Sequence, residues 1–136
     1  MEESLLLRQI PHSVEAEQSV LGAMLIDARC IPDVIEALHP EDFYLKTNRE
    51  IYETIYAMFN FSATIDPVTV LDQMKQRGVY DENTSRNYLL QLMEITPTAA
   101  NVKEYVRIVK DKALLRRIAE TAGELTTLVQ EGGETG

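Results

Sequence analysis

The stretch ANVKEYVRIVKDKALLRRIAETAGELTTLVQ, from Ala100 to Gln130, contains no proline and reads as one unbroken helix. Asn101 can cap it, with Glu104 three residues on. At ~1.5 Å per residue, about 28 helical residues span roughly 42 Å. A compact body of ~100 residues has a radius of gyration near ~13 Å. The helix must therefore project from the body or lie across all of it. Its apolar residues fall into two tracks. Tyr105, Ile108, Leu115, Ile118, Ala119, Ala122, Leu125 and Val129 form one, and Val102, Val106, Val109 and Ala113 lie on roughly the opposite side. A helix with two apolar faces needs two partners, of which the domain's own core is one. The predicted seam with another segment or another copy comprises Ile108, Leu115, Ile118, Ala122, Leu125 and Val129.

With 136 residues, of which 45% are hydrophobic and 26% charged, the chain can build one domain with a real core. No apolar run approaches the ~18–20 residues of a membrane span. The opening MEESLLLRQIPHS has too short an apolar core and the wrong charge for a secretory signal. A single cysteine, Cys30, excludes an internal disulfide and suits a reducing, cytoplasmic setting. The net charge of −9 argues against the whole domain lying on nucleic acid. That charge is uneven. Lys103, Arg107, Lys110, Lys112, Arg116 and Arg117 against Glu104 and Asp111 leave the long helix's first half at +4 and the rest of the chain at −13. Aromatic residues for stacking bases are scarce there, so direct nucleic-acid binding is not the expected role.

Before the long helix the chain reads as helix after helix, with no convincing strand. Ser13 caps a helix whose buried set is Val20, Leu21, Met24 and Leu25. Gly22 sits within it at a cost of about 1 kcal/mol relative to alanine, which predicts a close helix crossing. A short helix runs next from about Ile31 to Leu38, and the turn PEDFYLKT should plant Phe43 and Tyr44 in the core. Thr47 and Glu50 have the spacing of a capping box. Asp66-Pro67 opens another helix, with Val68, Val70, Leu71 and Met74 apolar, and Gly78 ends it. A further helix near Tyr88–Met93 carries Leu89, Leu90 and Leu92.

Catalytic signatures are missing. None of the six glycines precedes a lysine, so there is no phosphate loop, and no nucleophile elbow occurs. His12, His39 and Cys30 are scattered, without metal-ligand spacing. The paired carboxylates Glu15/Glu17 and Glu41/Asp42 read as helix-start charges. No catalytic residue, metal site or cofactor is expected.

Three stretches together resemble one family. IPHSVEAEQSVLGAMLID (Ile10–Asp27), PEDFY (Pro40–Tyr44) and TPTAANVKEYVRIVKDKALLRRI (Thr96–Ile118) are similar, in order and spacing, to bacterial replicative DNA helicases of the DnaB type. The resemblance implies an all-α amino-terminal domain: a compact orthogonal multi-helix bundle followed by a long projecting helix, the first arm of a helical hairpin. The linker helix and ATPase motor would lie outside this chain, which would then have no unwinding activity of its own. The organisation expected is a flexible arm over 1–12, a helical body over 13–98, the hairpin helix over 99–130 and a disordered tail over 131–136. The resemblance further implies self-association through the hairpin, a hexameric collar in the full-length protein, and docking of the primase carboxy-terminal domain and, in some bacteria, a helicase loader. By motif position the primase face would draw on Glu15, Tyr88, Ala119 and Leu125.

Overall fold

The computed structural model describes residues 10–135, and among these it contains six α-helices and no strand. They are α1 (Val14–Ile26), α2 (Ile31–Ala37), α3 (Lys46–Asn60), α4 (Pro67–Gln76), α5 (Ser85–Glu94) and α6 (Val102–Thr135). Single 3-10 turns at Ala28–Cys30 and Pro40–Asp42 flank α2.

Helix α1 is the hub. Ser13 Oγ accepts from the Ala16 N–H at 3.1 Å and starts it. Its buried residues run Ala16, Glu17, then Val20 through Leu25, which covers every side of the helix wheel. It therefore has neighbours all round, chiefly α5, α6 and α3. Gly22 makes the predicted close crossing. A Cβ there would lie 2.1 Å from Thr96 Oγ1 and 2.4 Å from the Leu92 carbonyl oxygen, so α1 and the end of α5 touch through backbone.

Glu17 holds the next element in place. Its carboxylate is 1% exposed and accepts from the Tyr44 N–H at 2.8 Å, the Leu45 N–H at 3.3 Å and Asn48 Nδ2 at 3.0 Å. These donors lie at the start of α3, whose N-cap residue Leu45 has no capping side chain. The capping box expected at Thr47 and Glu50 does not form, because α3 begins at Lys46 and Thr47 is already inside it. A carboxylate from α1 does that work instead, placed at the positive end of the α3 dipole.

Other local signals act as predicted. Asp66 Oδ1 accepts from the Thr69 N–H at 2.9 Å, Thr69 Oγ1 accepts in return from the Asp66 N–H at 2.9 Å, and Pro67 opens α4. Gly78, at φ +74°, ends the turn after α4. Val70 and Met74 are buried, but Val68 is 76% exposed and Leu90 on α5 is 51% exposed. Both lie on helix faces turned away from the hub. Phe43 enters the core and stacks on Tyr52 with centroids 4.5 Å apart. Tyr44 does not: backbone alternation in the extended segment turns it outward, where it is half-buried.

Helix α6 lies on the body through Val102, Val109 and Ala113, which are buried at the spacing i, i+7, i+11. From Leu114 to Gly133 every side chain is exposed except the half-buried Arg116. The long helix thus projects. It runs to Thr135, beyond the boundary expected at Gln130, so 131–135 is helical and not a disordered tail. Gly132 and Gly133 each cost about 1 kcal/mol but do not forbid helical dihedrals. Of the arm expected over 1–12, residues 1–9 lie outside the described residues, whereas Pro11 and His12 are held against the body.

Candidate protein-interaction surface

The projecting part of α6 carries an apolar stripe. Leu114, Ile118, Thr121, Leu125 and Leu128 recur at alternating intervals of four and three, the spacing that keeps side chains on one seam of a helix. The four apolar members are 49–62% exposed. Leu115 at 47% and Val129 at 74% widen the stripe on one flank, with Ala122 between them. A shallow groove runs along Leu114, Arg117, Ile118, Thr121, Ala122 and Leu125. No described residue covers this face. Beyond Ile118 the charges are all negative: Glu120, Glu124, Glu131 and Glu134.

The predicted seam residues fall into two groups. Leu115, Ile118, Ala122, Leu125 and Val129 share the exposed stripe. Ile108 does not join them, because it is half-buried against the body's core. The predicted set omits Leu114 and Leu128. The 3-4 spacing passing through Thr121 contains them; tracing Leu115 and Val129 instead misses them.

Where α6 leaves the body, three distant segments meet. Arg116 Nη1 donates to the Pro11 carbonyl at 2.7 Å, and Arg116 Nη2 to the Asp42 carbonyl at 2.7 Å. The same guanidinium lies 5.4 Å from the Tyr44 ring centroid, and the His12 ring stacks on Tyr44 at 4.4 Å. Arg117 Nη1 reaches Asp42 Oδ1 at 3.2 Å, while Asp42 Oδ2 accepts from the His39 N–H at 2.8 Å.

Three of the six cations in the first half of α6, Arg107, Arg116 and Arg117, are thus engaged within the chain. Arg107 pairs with Glu104 and, at 2.9 Å, with Asp111. Lys103 and Lys110 border a hollow shared with Asp33 and Glu36. A face built to hold phosphates would leave such groups pointing outward together.

The scattered His and Cys side chains do not converge. His12 stacks on Tyr44, His39 opens the Pro40–Asp42 turn, and Cys30 borders a hollow with Asp27, Arg29 and Thr98. Burial pushes the Cys30 thiol up to about 11, the opposite of an activated nucleophile. Among the described residues no group of three His, Cys, Asp or Glu side chains could hold a metal ion.

The family model described as the DnaB-like helicase N terminal domain matches residues 9–111. The chain belongs to this family. It is 36% identical over 121 residues to the replicative DNA helicase DnaB of Leifsonia xyli subsp. xyli, covering 89% of this chain and 26% of that protein. It spans between a fifth and about a quarter of the length of the curated relatives it matches. The crystal structure of the N-terminal domain of DnaB helicase from Mycobacterium tuberculosis superposes with a TM-score of 0.88 at 38% identity, covering 93% of this chain and 90% of that one. The N-terminal domain of DnaB helicase from Helicobacter pylori, whose structure is described together with its interactions with primase, shares the fold with a TM-score of 0.72 at 21% identity, covering 96% and 99%.

Within this DnaB-type domain, the four residues expected to face primase are dispersed. Glu15 is exposed on the first turn of α1, and Ala119 and Leu125 lie on the projecting part of α6. Tyr88 on α5 is half-buried; its hydroxyl donates to Asn48 Oδ1 and accepts from Gln18 Nε2 at 3.3 Å. Burial raises the Tyr88 phenol above its ordinary range, which keeps it protonated as the donor to Asn48. It lines a hollow between α3, α4 and α5, with Gln18, Glu50 and Asp81, whereas Leu125 lines the groove on α6. The two hollows have no residue in common.

Proposed function

We propose that this chain is the assembly and docking domain of a hexameric replicative helicase, acting in DNA replication through protein contacts and not through chemistry of its own. The ATP-driven motor lies in a part of the protein outside this sequence. The observation that carries the reading is the uncovered stripe of Leu114, Ile118, Leu125 and Leu128 on a helix otherwise anchored to its body. Monomeric proteins seldom leave so continuous an apolar face open. Its 3-4 periodicity suits another helix, supplied by a second copy, by the remainder of the hairpin, or by both.

Docking of the primase carboxy-terminal domain is the second part of the proposal. It is motivated by membership of the family and draws on Glu15, Tyr88, Ala119 and Leu125; a helicase loader is a further candidate partner. Neither a cofactor nor a metal enters this reading. Among the described residues no helix is long and apolar enough to cross a membrane, and we place the protein in the bacterial cytoplasm.

Two measurements test the parts separately. Light scattering should report self-association that Ile118→Asp and Leu125→Asp abolish, with the helical circular-dichroism spectrum retained because both sites are exposed on the single chain. A strictly monomeric wild-type protein, alone and with the rest of the hairpin appended, would remove the assembly role. Calorimetry with the primase carboxy-terminal domain should give saturable heat at roughly tens of micromolar protein. Its absence in both forms would remove the docking role.

A further inference from the structure

We propose that Arg116 is the positioning residue of the projecting helix, fixing the direction in which it leaves the body. The inference rests on the reading of that helix as an assembly surface. It concerns a different property, its angle.

Apolar contacts alone cannot set this angle. Val102, Val109 and Ala113, with Tyr105, Val106 and Ile108 beside them, hold α6 to the body, but interlocking of apolar side chains fixes a crossing angle only to within about 15–20°. Hydrogen bonds are directional, and they are available at one place. Arg107 bonds only to Glu104 and Asp111 on its own helix, so it contributes nothing to orientation. Arg116 and Arg117 bond to the body. Past Arg117 every side chain through Gly133 is exposed, so these two are the last residues that can steer the free length of the helix.

The guanidinium suits the task. Its N–H groups diverge in one rigid plane. One meets the Pro11 carbonyl in the segment entering α1, and the other meets the Asp42 carbonyl in the turn before α3, each at 2.7 Å. The plane also lies against Tyr44, on which His12 is stacked. Three contacts to two separate segments define a direction. Arg117, bonded to Asp42 on the same turn, adds a brace. A lysine also has three donors, but they radiate from one nitrogen on a flexible stem, so it lacks the rigid fork that reaches both carbonyls while lying flat against Tyr44.

The test is a distance between electron spin labels on the 136-residue protein, with Glu82→Cys on the body and Gln130→Cys on the helix in a Cys30→Ser background. Excess unlabelled protein removes distances between copies. The expected wild-type result is one narrow distance. Arg116→Ala should lose it to a broad distribution while the circular-dichroism melt still reports a folded body. Arg116→Lys, which keeps the charge and the stem and is the milder change should alanine fail to fold, should remain broad. A narrow distance retained in Arg116→Ala, or restored by lysine, would overturn the proposal. The assembly reading fails separately: if Arg116→Ala broadens the distance yet the wild type never self-associates, the positioning role stands and the assembly role falls.

Discussion

Replacing Gly22 by alanine sets two known effects against each other. In an exposed helix the change is favourable by about 1 kcal/mol, because glycine loses more backbone freedom on folding. Here the new methyl would lie 2.1 Å from Thr96 Oγ1, 2.8 Å from Thr96 Cβ and 2.4 Å from the Leu92 carbonyl oxygen. Thr96 is 4% exposed and its hydroxyl donates to that same carbonyl at 2.9 Å, so it has little room to turn away. The carbonyl is backbone, and relieving the contact means moving α5 off α1. Overpacking of this kind costs typically 1–3 kcal/mol, and two contacts under 2.5 Å put it at or beyond the upper end. After the propensity gain the net loss is about 2 kcal/mol, or a fall in melting temperature of about 6 °C for a domain of this size. Urea unfolding monitored by circular dichroism measures it, with Gly123→Ala as internal control. Nothing lies within 4 Å of a Cβ at Gly123, so that variant should gain up to about 1 kcal/mol. Truncating Thr96 to alanine as well should not rescue Gly22→Ala, since the carbonyl remains. If Gly22→Ala stabilises as Gly123→Ala does, the close crossing is refuted.

Glu17→Gln replaces a buried three-fold acceptor with a group offering one oxygen, so an amide N–H must face another donor; the expected loss is about 1–3 kcal/mol by chemical denaturation, and unaltered stability would refute the transferred cap. Tyr88→Phe removes the hydroxyl shared by Asn48 and Gln18 and should cost about 1 kcal/mol. A melting temperature identical to wild type, combined with lost primase binding, would make that hydroxyl a docking group and not a structural one. Because the Cys30 pKa is raised to about 11, the thiolate fraction and hence the alkylation rate should climb about tenfold per pH unit through the mildly alkaline range. A rate that levels off near about pH 9 would show an ordinary, accessible thiol.

The features legible in the sequence are those that act within a few residues. Ser13, the Asp66-Pro67-Thr69 cap and Gly78 each work through bonds to neighbours three to five positions away, so their spacing carries the information. Gly22 is legible for a related reason: a costly residue mid-helix implies a compensating contact, though not which one. The long helix and most of its open stripe come from periodicity alone. Features made by distant groups are not legible in this way. Glu17 looks like a first-turn charge, yet its partners are 27–31 residues away, and nothing local shows that it displaces the Thr47–Glu50 box. Arg116 and Arg117 read as part of a soluble basic face, while their partners lie 74–105 residues earlier. Val68 and Leu90 are apolar like their buried neighbours Val70 and Leu89, but hydrophobicity does not say which side of a short helix a neighbour will occupy. Leu114 and Leu128 belong to a track whose middle member, Thr121, is polar, and that hides it.

Helix α6 ends at Thr135, so the part beyond Arg117 is about 27 Å long at ~1.5 Å per residue. Over that arm a swing of about 10° at the base carries the tip sideways by about 5 Å, about half the ~10 Å width of a helix with its side chains. Two such arms set side by side would then part or cross before their far leucines could meet. If the arms join copies as proposed, the fit at their far ends would depend on a few bonds at the shoulder, where Arg116 and Arg117 meet the body.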